Sequence, residues 1–253
     1  MSGTGSDAPR RPRALLWTAV ALLALFAAMA VAVGLDPATP FTQRLDDAWR
    51  ALVGAAPGSG SYRWFLPMTF QYFGELPGVL LVVVVLPGVL ALLGRWRSAL
   101  FLLAVNAIGP GLISQAAKKL VDRPRPAPGL TGGYGPLFPV DQGSFPSGHV
   151  CFAAALVVGV AALIPAVHRT TRVAWWAIGG LFTLGVAWQR TLVNAHWLSD
   201  TAFGLVGGAG AALLMWWVFW PWLRRDQSRP AWWRRATDPD PNGQVASTGG
   251  ALG

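Results

Sequence analysis

The chain alternates long apolar runs with short polar breaks. Six runs approach the roughly 20 apolar residues that a membrane-crossing helix needs. They are Ala14 to Val33, Leu76 to Leu93, Ser98 to Ala117, Gly148 to Pro165, Val173 to Gln189 and Thr201 to Trp222. The pattern predicts an all-α polytopic membrane protein, a helical bundle of six transmembrane helices. The first run follows Arg10, Arg11 and Arg13, the flank of a secretory signal. Its apolar core exceeds the usual ~7–15 residues of such signals, and no small-residue cleavage pattern follows clearly. It therefore reads as a retained helix.

The polar breaks organise the rest. Residues 1–13 form a short basic arm, and residues 34–63 an outer loop with a Gly-Ser-Gly linker at Gly58 to Gly60. Trp64 to Phe73 reads as a short interfacial helix leading into the second span. Residues 122–147 carry six prolines and several glycines, too irregular for a helix. Residues 223–253 are polar and rich in Gly, Pro, Asp and Arg, the composition of a disordered tail after its first basic turn. No internal repeat is visible. The expectation is one membrane domain, residues 14–222, between two cytoplasmic tails.

Composition agrees. Hydrophobic residues make up 53% of the 253, charged residues 12%, and the mean hydropathy is +0.44. A soluble domain carries about 25% charged residues, so a disordered chain is excluded and a soluble globule disfavoured. The net charge is +9. Nucleic-acid binders are also basic, but they need a basic face on a soluble fold, so no nucleic-acid partner is expected. The single cysteine, Cys151, excludes an internal disulfide and any multi-cysteine metal site.

Lys and Arg set the orientation. With the N-terminus in the cytoplasm and six alternating spans, 12 of the 20 cations fall inside and eight outside. Ten of the 14 tryptophans fall at the proposed inner ends, as interfacial indoles do. The expected location is the plasma membrane, with both termini cytoplasmic.

Three clusters of reactive residues then fall on the outer face. Lys118 to Pro126 (Lys-Lys-Leu-Val-Asp-Arg-Pro-Arg-Pro) ends the third span. Its cations Lys118 and Arg125 face outward, against the positive-inside rule, which weakens a reading as plain snorkelling. Phe145 to His149 (Phe-Pro-Ser-Gly-His) begins the fourth span. Ser147 is a favoured N-cap, Gly148 leaves room for close approach, and a helix start offers free N–H groups to an anion. A plain capped helix with an interfacial histidine, His149, explains the same residues. Arg190 to Asp200 bridges the fifth and sixth spans. His196 and Asp200 stand four apart and share a helical face. An Asp accepting from one ring nitrogen leaves the other free as a nucleophile. The bland alternative is a histidine stabilised near a helix N-terminus.

Together these parts describe a phosphoryl-transfer site, in which positioning and charge neutralisation dominate. Lys118, Arg125 and Arg190 neutralise, Ser147 and the Gly148 N–H donate, His196 attacks and His149 protonates the leaving oxygen. No carboxylate cluster for a metal is present, and no cofactor is expected. A protonated His149 paired with a neutral His196 predicts a bell-shaped rate profile.

Lys-x6-Arg-Pro, Pro-Ser-Gly-His and Arg-x5-His-x3-Asp, in this order over residues 118–200, resemble the three motifs of the type 2 phosphatidic acid phosphatase and vanadium haloperoxidase superfamily. The resemblance implies a helical core whose phosphatases work through a phosphohistidine. It implies His196 as nucleophile, Asp200 as its orienting partner and His149 as general acid. Lys118, Arg125, Ser147, Gly148 and Arg190 would hold the phosphate. The expected substrate is a membrane lipid phosphate or diphosphate, of the undecaprenyl diphosphate, phosphatidic acid or phosphatidylglycerol phosphate class, bound from the lipid bilayer. A vanadate-dependent haloperoxidase and a non-catalytic anion- or lipid-binding membrane protein are the alternatives. The sequence leaves the oligomeric state open.

One departure stands in the third motif: Gln189 occupies the place where the family usually has Ser before the Arg. Arg123 reads as a solvated surface charge outside the site, and His168 as a solvated loop residue. Glu75, the sole glutamate, is placed to line the substrate entrance. Gly204 and Gly208 form a small-xxx-small pair suited to helix packing within the domain.

Overall fold

The computed structural model describes residues 11–128, 133–140 and 143–228. Among them the chain forms no strand, one 3-10 turn at Ser61–Arg63 and eight longer helices. These are α1 (Arg13–Gly34), α2 (Gln43–Val53), α3 (Phe65–Phe73), α4 (Leu76–Leu92), α5 (Trp96–Val121), α6 (Gly148–Leu163), α7 (Arg169–Leu192) and α8 (Leu198–Gln227).

α1 is apolar on every side and buries only Ala19, Phe26 and Val33. Their seven-residue spacing makes a narrow stripe against α8, while Trp17, Leu25 and Val31 stay exposed. A helix with one buried stripe and apolar residues all round suits a hydrocarbon environment. α5 contains Pro110, which removes a backbone donor and crowds the preceding turn. The helix absorbs this by widening to a π-helical stretch over Ala107–Ile113.

α8 is the centre of the bundle and packs most heavily on α6 and α1. Two glycines permit the α6 contact. A Cβ at Gly204 would lie 2.6 Å from the Ser147 carbonyl oxygen, and one at Gly208 would lie 2.2 Å from that of Cys151. The small-residue pair thus brings two backbones together, as its spacing predicts. The largest apolar cluster, around Phe101, Leu102, Val105, Val158 and Trp216, fills the end of the bundle away from the three reactive clusters.

Three helices, α1, α5 and α8, are long and apolar enough to cross a membrane. α3 and α4 together make a fourth candidate, bent by 58° at Gly74–Glu75. α6 is short, at 16 residues, and α7 carries Arg169, Arg172 and Arg190 near its ends. These apolar helices mark a membrane protein, although six spans are more than the helices alone establish.

Segment 34–63, expected as an outer loop, is not a plain loop, because it contains α2. This helix is inverted: it buries Asp46 and Arg50 and exposes Leu45 and Leu52. Arg50 donates to the carbonyls of Ala127 (2.8 Å) and Tyr134 (2.7 Å), so α2 holds the proline-rich segment 122–147. That segment has no helix among its described residues. α8 continues through Gln227, past the expected start of the tail. The remainder of the tail and most of the basic arm lie outside the described residues.

Candidate active site

A cavity of about 370 Å³ opens among the ends of α3 to α7. Its wall includes Gln71, Glu75, Lys118, Arg125, Gly148, His149, Arg190 and His196. Residues from all three reactive clusters therefore meet on one surface. Ser147 and Asp200 do not line it; both are fully buried behind it.

His196 lies in the five-residue turn between α7 and α8. Its Nδ1 stands 2.7 Å from the carbonyl oxygen of Ser144. A carbonyl only accepts, so Nδ1 carries the hydrogen and Nε2 keeps its lone pair. Arg125 Nη1 donates toward that lone pair at 3.3 Å and to the Ala195 carbonyl at 2.6 Å. Asp200 Oδ2 is farther from Nδ1, at 3.7 Å. The tautomer is thus set first by a main-chain carbonyl, with the carboxylate as the more distant partner, which corrects the simple His–Asp pairing expected from the spacing. Burial pushes the His196 imidazole down to about 3. Asp200 opposes that shift, and the nearby Arg125 and Lys118 add to it. The ring is neutral at any ordinary pH.

Asp200 is held in turn. Its Oδ2 accepts from the Trp197 N–H at 2.9 Å and from the Ser144 hydroxyl, and its Oδ1 accepts from Arg123 Nη1 at 2.8 Å. Arg123 is therefore no surface charge. Its side chain is fully buried and forks between Asp200 and Asp46, 2.8 Å from each. The reading as a solvated arginine failed because its partners come from distant segments of the chain.

His149 occupies the first turn of α6. Arg190 Nη1 donates to its Nε2 at 2.7 Å. The other arm of Arg190 donates to Gln71 Oε1, which also accepts from Gln189 Nε2 at 2.9 Å. Gln71 Nε2 donates to Glu75 at 2.5 Å. Gln189 thus does not line the cavity but holds Gln71, which does. Glu75 lines the cavity itself. Gln71 had no signal in the sequence beyond its four-residue spacing from Glu75.

Lys118 Nζ donates to the Gly143 carbonyl at 3.2 Å and reaches the cavity wall. The Ser147 hydroxyl is buried without a hydrogen-bond partner among the described residues. The Phe145–Pro146 bond is cis, and the Ser147 N–H donates to the Asp200 carbonyl at 2.9 Å. This last bond joins the second and third clusters through backbone. His168 caps α7 far from the cavity wall.

The arrangement is a cavity with three cations, a helix N-terminus, one imidazole with a free lone pair and a second imidazole beside it. Chemically it suits a phosphate or another tetrahedral oxyanion. The fold is similar to the crystal structure of the first transmembrane PAP2-type phosphatidylglycerolphosphate phosphatase from Bacillus subtilis. The TM-score is 0.64 at 20% identity, over 79% of this chain and 94% of that one. Comparison with curated proteins gives no match. Residues 98–224, half of the chain, match the PAP2 superfamily. That stretch contains Lys118, Arg125, Ser147, His149, Arg190, His196 and Asp200, and by this match the chain belongs to the PAP2 superfamily.

Proposed function

We propose that the protein is an integral membrane phosphatase that hydrolyses a lipid phosphate or diphosphate through a phosphohistidine, without a metal. The observation that carries this reading is His196: a neutral imidazole, fixed as the Nδ1–H tautomer, faces a cavity walled by Lys118, Arg125 and Arg190. Its Nε2 lone pair attacks phosphorus as the bond to the leaving oxygen breaks. His149, once it holds a proton at the Nε2 that accepts from Arg190 in this structure, gives it to that oxygen. Water then attacks the phosphohistidine, His149 takes the water's proton, and inorganic phosphate leaves with His196 restored. Lys118, Arg125, Arg190 and the α6 N-terminus neutralise the equatorial oxygens. Ser147 contributes as the N-cap residue from which α6 starts, and Asp200 orients His196.

The lipid class is supported by an apolar groove of about 500 Å³. Tyr72, Phe73, Pro77, Leu81, Leu156, Ile178 and Phe182 line it. It flanks the same bend at residues 71–79 that walls the cavity, so one amphiphile can place its head group in one and its chain in the other. The Bacillus subtilis protein of similar fold is a phosphatidylglycerolphosphate phosphatase, which places that lipid in the substrate panel beside phosphatidic acid and undecaprenyl diphosphate. The six-span topology, a plasma-membrane location with cytoplasmic termini, and an outer-face site belong to the same reading and rest on the arginine distribution.

The test is phosphate release from that panel by the full chain in detergent with EDTA, with rapid quenching to trap a phosphorylated histidine. The expected result is turnover with label on histidine, abolished in His196→Ala. A requirement for added metal, or wild-type turnover in His196→Ala, overturns the mechanism.

A further inference from the structure

We propose that Asp46, on the inverted helix α2, is a positioning residue for the attacking imidazole and acts through Arg123. This rests on the reading of His196 as the nucleophile. Asp46, Arg123 and Asp200 are all buried, at 1%, 1% and 0% exposure. The Arg123 guanidinium places Nη1 on Asp200 Oδ1 and on Ser199 Oγ, each at 2.8 Å. It places Nη2 on Asp46 Oδ2 at 2.8 Å and on Gln43 Oε1 at 3.0 Å. One planar donor fork thus bridges the two carboxylates and sets their relative placement.

Asp46 is itself fixed on three sides. It accepts from Thr42 Oγ1 at 2.9 Å, from the Ser199 N–H at 2.8 Å and from Ser199 Oγ at 2.7 Å. The last two contacts tie α2 to the first turn of α8, where Asp200 stands. Arg123 then reaches His196 by two routes. Its side chain orients Asp200, whose Oδ2 faces His196 Nδ1. Its carbonyl accepts from the Ser144 N–H at 2.7 Å, and the Ser144 carbonyl is the acceptor for His196 Nδ1. A segment far outside the three motifs therefore fixes which nitrogen of His196 is free. A buried ion pair that only stabilised the fold would have no reason to converge on one ring nitrogen from both sides.

The test uses the full chain in detergent with ¹⁵N-labelled histidine. With only three histidines in the chain, the His196 nitrogens are assignable against His149→Asn and His168→Asn. In the wild type His196 reads as the pure Nδ1–H tautomer. Asp46→Asn, which can still accept from Ser199, shifts it to a mixture, and Arg123→Lys does the same. With phosphatidic acid in mixed micelles as substrate, both variants lower kcat by about 10- to 100-fold with KM within about 2-fold. The double variant Asp46→Asn with Asp200→Asn is no slower than Asp200→Asn alone. An unchanged tautomer in either folded variant, or additive losses in the double variant, overturns the proposal. Because the tautomer is read without turnover, an inactive wild type would count against the phosphatase reading while the role of Asp46 is still decided.

Discussion

Gly74 and His149 touch so closely that a methyl group on the first would fall 1.9 Å from Cδ2 of the second. Gly74 sits at the α3–α4 bend, where the missing side chain leaves the space that the imidazole fills. Gly74→Ala is expected to displace His149 and lower kcat by about 10²-fold, the scale of a misplaced catalytic group. Gly88→Ala in α4, with nothing within 4 Å of the new methyl, is the control and should keep wild-type kcat. Steady-state kinetics on both variants checks this, and an active Gly74→Ala enzyme would remove His149 from the chemistry.

Gln71 joins Gln189, Arg190 and Glu75. Gln71→Leu removes an acceptor from a buried guanidinium, a loss of about 1–3 kcal/mol. The expected reading is a KM raised by about 10-fold or more, because Arg190 loses the anchor that aims it at the cavity. Gln189→Ser should do the same more mildly, since Gln71 keeps Arg190 as its donor. Equal KM values in wild type and Gln71→Leu would show that Arg190 is positioned by other contacts.

The rate profile should lack an acid limb from His196. Its imidazole is pushed down to about 3 by burial, so the nucleophile is already neutral across the range in which free histidine titrates. The bell expected from two ordinary histidines therefore opens on its acid side. Measured as kcat/KM with several substrates, any acid loss near pH 6 should move with the phosphate group's own ionisation. A loss fixed near 6.5 for every substrate would mean that His196 titrates normally.

The same shift has a consequence for stability. An unfolded histidine titrates near 6.5, while the folded His196 holds off its proton to about 3. Between those values the unfolded chain binds the proton and the folded chain does not, so stability falls as pH falls. The contribution is intact above 6.5 and is lost progressively down to about 3. Thermal unfolding in detergent should show this acid slope, and His196→Gln should flatten it.

Much of the cavity was readable from local pattern. Lys118, Arg125, Gly148, His149, Arg190 and His196 stand at fixed spacings on helix ends or within a few residues of them, so the six fall on one wall once the helices alternate. What local pattern could not show was the support behind them. Arg123 meets Asp46 across 77 positions of sequence, and Arg190 meets Gln71 across 119. Neither contact has a periodic signature. Helix α2 escaped notice because it presents Leu45 and Leu52 outward and Asp46 inward, the reverse of the usual amphipathic rule. The spans were blurred for a related reason: α7 buries Gln189 and Arg190, polar residues that belong to the site and lower the helix's apolar content.

The close approach of α6 and α8 at Gly204 and Gly208 separates two design tasks in this fold. The offset between the start of α6, which bears His149, and the start of α8, which follows His196, is fixed by main-chain contact and by the Ser147–Asp200 backbone bond. Side-chain replacement elsewhere on the wall does not reset it. The bend at residues 71–79 has no such backbone clamp to α8; within it Gly74 and Gln71 are tied to His149 and Arg190, while Tyr72, Phe73 and Pro77 line the apolar groove and can vary in size and polarity. Preference for the chain of the proposed lipid substrate can therefore change there without shifting the wall that carries the histidines.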